Sequence, residues 1–199
     1  MNEIKKRPSW DKRYTEYCFK PPKERMRILL TDFKWFDEIW KALFDELADS
    51  IYEQKEYNRK SGGDIGVRVQ SSGSKYSPTE SKAICHMEIE DGILNCDLLS
   101  GLLVGVDNPN EISKKVYALH FMKEEVNVII RELALLSPDN RKLFMERFYY
   151  GKTTDEIANA RFLENNSISK RLCSIKKYLG RALIIDLGRE VERFEEGSF

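Results

Sequence analysis

Between Asn166 and Arg181 the sequence sets out side chains suited to holding a polyanion. Lys170, Arg171, Lys176, Lys177 and Arg181 stand there without an acidic neighbour, interleaved with Asn166, Ser167 and Ser174. Ammonium and guanidinium groups neutralise phosphates and displace condensed counterions, while amides and hydroxyls hydrogen-bond base edges. On a helical wheel of about 100° per residue, Ile168, Leu172, Ile175 and Leu179 form one stripe. Asn166, Lys170, Ser174, Lys177 and Arg181 fall opposite, with Ser167 and Arg171 to one side. Such a helix buries an aliphatic edge and offers a cationic one. The chemistry it predicts is double-stranded DNA binding through the major groove.

Other chemistries lack their residues. Gly151-Lys152-Thr153 has the end of a nucleotide-binding loop, but such a loop needs a glycine where this chain has Glu146 inside a helical pattern. His86 and His120 are the only histidines, and neither belongs to a spaced set of metal ligands. Cys85 and His86 are adjacent and so diverge on a helix. No Ser-His-Asp or Cys-His set and no isolated carboxylate pair appears. The expectation is a protein without catalysis, metal or cofactor. Four cysteines without a CxxC pair predict reduced thiols and an intracellular setting. Met1–Arg7 is polar and lacks a signal-peptide pattern. The longest apolar run, Leu98 to Val106, falls short of the ~20 residues of a membrane span. A soluble, cytoplasmic protein is expected.

The reading helix needs neighbours to prop it. Leu143, Phe144 and Phe148 give a short helix from Pro138, stopped at Gly151. Thr153-Thr154-Asp155-Glu156 is a capping box that opens a second helix carrying Ile157 and Ala158. Asn165 or Asn166 would cap the third. These are the parts of a helix-turn-helix over residues 137–187. Charge is uneven around it: residues 1–27 hold nine basic and four acidic side chains, residues 28–136 twelve and nineteen, and residues 137–187 ten and six. A basic arm over 1–21, helical or extended, thus precedes an acidic middle. The acidic residues 188–199 are expected to fray.

Over the middle, 22–136, a helical hairpin or bundle is predicted. Met26, Leu29, Phe33, Phe36, Trp40, Leu43 and Leu47 step by threes and fours along one seam. That spacing predicts a single helix from Pro22 to about Arg59, roughly 55 Å long. The seam reads as core, with a homodimer interface as its alternative use, and Trp35 beside it as an exposed contact for a partner. Ser61 to Tyr76 is loop composition. Helices restart at Ser77-Pro78-Thr79-Glu80 and Asn108-Pro109-Asn110-Glu111, where proline takes the first helical position. Ile84, Met87, Leu94 and Leu98 mark the inner face of the first. Ile112, Val116, Leu119, Val126, Ile130 and Leu133 mark that of the second. Residues 100–106 take no clear assignment.

Glu156-Ile157-Ala158, with Ile168 ten residues after Ala158 and then Ser169-Lys170-Arg171-Leu172, resembles region 4 of bacterial sigma factors. Arg147-Phe148-Tyr149-Tyr150-Gly151-Lys152-Thr153 is similar to the segment leading into that family's helix-turn-helix. Gly62-Gly63 followed by Arg68-Val69-Gln70-Ser71-Ser72-Gly73-Ser74 extends the likeness to phage-encoded sigma-like proteins of Gram-positive bacteria. The resemblance implies an all-α fold ending in a sigma region 4-like helix-turn-helix, and a role in phage or prophage transcription with RNA polymerase as a partner. Three positions depart from the pattern. Phe162 stands where the family has glycine, Arg161 where it has an aliphatic and Glu164 where it has a serine cap. Phe162 implies a longer or reshaped turn. Glu164 and Phe162 also support a second reading, an interaction protein that binds RNA polymerase, a sigma factor or a host defence protein without reading DNA.

Overall fold

A computed structural model describes residues 9–61 and 78–196, and the Gly62–Ser74 motif lies outside them. The fold is all-α, with no strand among the described residues. The chain forms two compact units, Met1–Cys18 with Ile39–His120, and Phe19–Glu38 with Phe121–Phe199.

In the first unit, residues 9–18 of the basic arm are folded. Asp11 caps a single helical turn, α1 (Lys12–Thr15), by accepting from the Arg13 and Tyr14 amides, and Tyr14 and Tyr17 are buried. Trp10 Nε1 donates to the Leu43 carbonyl at 2.9 Å, which pins the arm to the helix Phe36–Ser61. Residues 98–106 form a π-helical turn (Leu98–Leu102) followed by a bend through Gly105, with positive φ at Gly101 and Gly105. Polar side chains from the long helix hold this bend. Lys55 Nζ donates to Gly101 O at 2.9 Å, and Asn58 Nδ2 donates to Gly105 O at 3.1 Å and Asp107 Oδ1 at 2.8 Å.

The expected single helix from Pro22 is divided into α2 (Pro22–Asp32), a 3₁₀ turn (Phe33–Trp35) and α3 (Phe36–Ser61). Thr31 Oγ1 donates back to Arg27 O at 2.7 Å, a local bond that competes with helix continuation. The tighter turn brings Phe33 edge-on to Phe144, with ring centroids 5.2 Å apart. The seam is buried within the chain at Met26, Leu29, Phe36, Leu43 and Leu47.

Helix α4 (Pro78–Leu94) buries Ile89 and Ile93, not the expected Ile84, Met87 and Leu94, which are exposed. Gly92 decides the face. Leu102 packs so close that a Cβ on Gly92 would lie 3.3 Å from its Cδ1. Helix α5 (Pro109–Leu135) buries Ile112, Val116, Leu119, Val126 and Leu133 as expected, while Ile129 replaces Ile130 inside.

The second unit ends in a run of short helices and one long one. Its parts are α6 (Pro138–Phe144), a π-helical turn (Met145–Tyr149), α7 (Thr154–Arg161) and α8 (Asn165–Glu196). Gly151 takes φ +71° and ends the turn, so the Lys152 amide reaches back to Glu146 O. Helix α8 runs on through the acidic segment expected to fray, with no proline to interrupt it. Helix α2 packs against α8 where Gly180 leaves room, a Cβ there meeting Met26 Sδ at 3.6 Å. Inside this unit Arg25 Nε donates to Glu125 Oε1 at 2.8 Å, a buried ion pair between α2 and α5.

Candidate nucleic-acid interface

Helix α7 begins with the capping box legible in the sequence. The Thr153 amide donates to Glu156 Oε2 at 2.7 Å, and the Glu156 amide donates to Thr153 Oγ1 at 3.2 Å. The Thr153 backbone and hydroxyl hydrogen bonds hold the Glu156 carboxyl below its usual range. Ile157 and Ala158 are buried, and small Ala158 allows close crossing.

The turn into α8 is short, residues 162–164, not lengthened. Phe162 itself adopts the left-handed conformation, φ 55° and ψ 41°, that the resemblance reserves for glycine. The Leu163 amide then bonds Ala158 O at 3.0 Å. The residue before α8 is Glu164, not Asn165 or Asn166. Its carbonyl accepts from the Ser167 and Ile168 amides, while its carboxylate is exposed. Asn165 Nδ2 instead donates to Asp155 Oδ1, tying the starts of the two helices.

Inward, α8 buries Ile168, Leu172, Ile175 and Leu179, as the wheel predicts, and adds Leu183. Helices α6 and α7 pack against α8, and their Leu143, Phe144, Ile157 and Ala158 are buried in the same unit. Outward, Asn166, Ser167, Lys170, Ser174, Lys176, Lys177 and Arg181 are exposed. Among the described residues no carboxylate pairs with Lys170, Lys177 or Arg181. Ser174 Oγ donates to Lys170 O at 3.1 Å, and Lys176 Nζ lies 5.4 Å from the Phe148 ring centre.

Arg171 is the exception. Its Nη2 pairs with Asp139 Oδ2 at 2.7 Å, so a side chain expected to grip the DNA backbone is held by α6. The other Asp139 oxygen takes Arg161 Nη1 at 2.7 Å, and Arg161 Nη2 reaches Glu146 Oε2 at 2.7 Å. Lys152 Nζ adds a longer contact to Glu146, 3.6 Å. Burial pushes both carboxyls up, but the Arg171 and Arg161 contacts outweigh it at Asp139, and Arg161 with Lys152 outweighs it at Glu146. Both groups stay below the usual carboxylate range.

This five-residue network was not foreseen. Its one sequence signal is Arg161 at a position where an aliphatic would pack. Glu132, the carboxylate on α5 nearest in this unit to Tyr178, accepts from the Tyr178 hydroxyl at 2.6 Å, a bond that raises the phenol's pKa. Asp139 and Glu132 thus engage Arg171 and Tyr178 of α8 rather than Lys170, Lys177 or Arg181.

No helix among the described residues is long and apolar enough to cross a membrane. Comparison with models of protein families, with curated proteins and with solved structures finds no match to this chain.

Proposed function

We propose that this chain is a DNA-binding transcription regulator of the phage or prophage type, with a sigma region 4-like helix-turn-helix. Helix α8 enters the major groove of double-stranded DNA. Asn166, Ser167, Lys170, Ser174 and Lys177 face bases and the nearest phosphates, and Lys176 and Arg181 hold the backbone. Arg171 joins them only by exchanging Asp139 for a phosphate. The protein acts in the cytoplasm, without catalysis, metal or cofactor, and RNA polymerase is its protein partner. A homodimer is a further assembly to test. One observation carries the reading: Lys170, Lys177 and Arg181 stand exposed, with no carboxylate partner among the described residues, on a helix anchored by five buried aliphatics.

Binding to duplex DNA across a salt series tests it. Four phosphate contacts, from Lys170, Lys176, Lys177 and Arg181, give a slope of log K against log salt of about −3 to −4. Lys170→Glu with Lys177→Glu weakens binding at least tenfold and flattens the slope by about two. A response independent of salt and unchanged in the double variant rejects the proposal.

That outcome would select the second reading, an interaction protein for RNA polymerase, a sigma factor or a host defence protein. The exposure of Met87, Leu94 and Leu99 around the carboxylates Glu88, Glu90 and Asp91 favours it.

A further inference from the structure

Phe162 combines two unfavourable features at one residue. Its backbone is left-handed, where a bulky side chain crowds the following carbonyl and glycine does not. The residue is 96% exposed and so packs on almost nothing among the described residues. Strain at an exposed aromatic, with little internal contact in return, points outward to a ligand.

The position says which ligand. Phe162 lies four residues before Asn166, and the first turn of a reading helix is the part that reaches base edges. Phosphate is not its partner, because the one charge of the 162–164 turn is the exposed Glu164 carboxylate. The one apolar group in the major groove is the C5-methyl of thymine. Beside it, cytosine presents an N4 amine, the group to which an exposed Glu164 carboxylate is suited as acceptor. A turn carrying a ring and a carboxylate fits pyrimidine edges better than it fits a sugar-phosphate strand.

We infer, on the DNA-reading assignment above, that Phe162 is a specificity-determining residue that packs on a thymine methyl next to the bases met by the first turn of α8. Its ring excludes water from that methyl, and the left-handed backbone projects the ring from the turn.

The test uses the full chain and duplexes enriched by it from a randomised pool. Each thymine of an enriched site is replaced in turn by deoxyuridine, which removes only the methyl. At one thymine the replacement weakens wild-type binding about fourfold, the worth of one buried methyl. Phe162→Gly keeps the salt slope and is indifferent to that replacement, while Phe162→Leu stays sensitive. The inference is overturned if no thymine matters, or if Phe162→Gly loses as much as wild type on deoxyuridine. The latter result would leave the ring to a protein partner. Failure of the DNA-reading assignment looks different: the pool yields no enriched site, and wild-type binding ignores salt.

Discussion

Arg161 and Phe162 are neighbours that each break the residue pattern expected of their turn, and the structure gives them opposite energetics. Arg161 replaces an apolar contact with ion pairs to Asp139 and Glu146, so its charge is fully answered. Phe162 is almost fully exposed and gains little packing from the described residues. A left-handed conformation costs an L-residue roughly 1–2 kcal/mol, against about 0.5–1 kcal/mol for the extra freedom that glycine loses on folding. Phe162→Gly should therefore stabilise the protein by about 0.5–1 kcal/mol, read as a higher urea midpoint. A lower midpoint would mean that the ring has a structural role. Among the cations of α8 the same contrast holds, since Arg171 has a carboxylate at 2.7 Å and Lys170, one residue earlier, has none.

Between elements, the buried Arg25–Glu125 pair couples α2 to α5 within the second unit. Arg25 also donates from Nη1 to Lys20 O at 3.0 Å, so the guanidinium is held on two sides. Glu125→Ala leaves it buried without its carboxylate and should cost about 3–5 kcal/mol in urea denaturation. Replacing both, Arg25→Met with Glu125→Leu, should recover much of that loss, because two desolvated charges are exchanged for apolar packing.

What the sequence made legible at this scale was local. The α8 stripe follows from periodicity alone, and Thr153 with Glu156 is a cap formed over three residues. Where a face or a break depends on distant residues, the reading failed. Thr31 and Phe33 divide the Met26–Leu47 seam because Phe144 packs on Phe33, and Phe144 is remote in sequence. Helix α4 has apolar residues on every side, so only the approach of Leu102 to Gly92 selects its inner face. Ile129 and Ile130 stand three and four residues after Val126 and four and three before Leu133, so either one fits the helical spacing. Arg171 was visible as a charge, but Asp139 lies on another helix and the pairing is tertiary. Phe162 was noticed as a departure, and its side chain suggested a longer turn although the backbone kept a short one.

For the molecule as a whole, charge is organised more by pairing than by sum. Asp139 and Glu146 have pKa values below the usual carboxylate range, so they bind protons less readily folded than unfolded. Their contribution to stability is therefore complete above the unfolded carboxylate values and is lost as pH falls through the lowered ones. Thermal melts should show the unit built from α6, α7 and α8 weakening below about pH 4. In Asp139→Asn with Glu146→Gln that acid limb should flatten, with lower stability at neutral pH. An unchanged acid limb would show that the network contributes little.

The 33 basic and 33 acidic side chains cancel, yet Lys170, Lys177 and Arg181 stand exposed without a carboxylate partner among the described residues. Such a molecule is a zwitterion with no net repulsion between copies near neutrality, so unlike patches on neighbouring molecules attract at low ionic strength. Added electrolyte screens that attraction and salts the protein in. On the proposed function, the ions that would loosen these three side chains from a duplex are the same ones that keep the protein dissolved, so handling and binding would draw ionic strength in opposite directions.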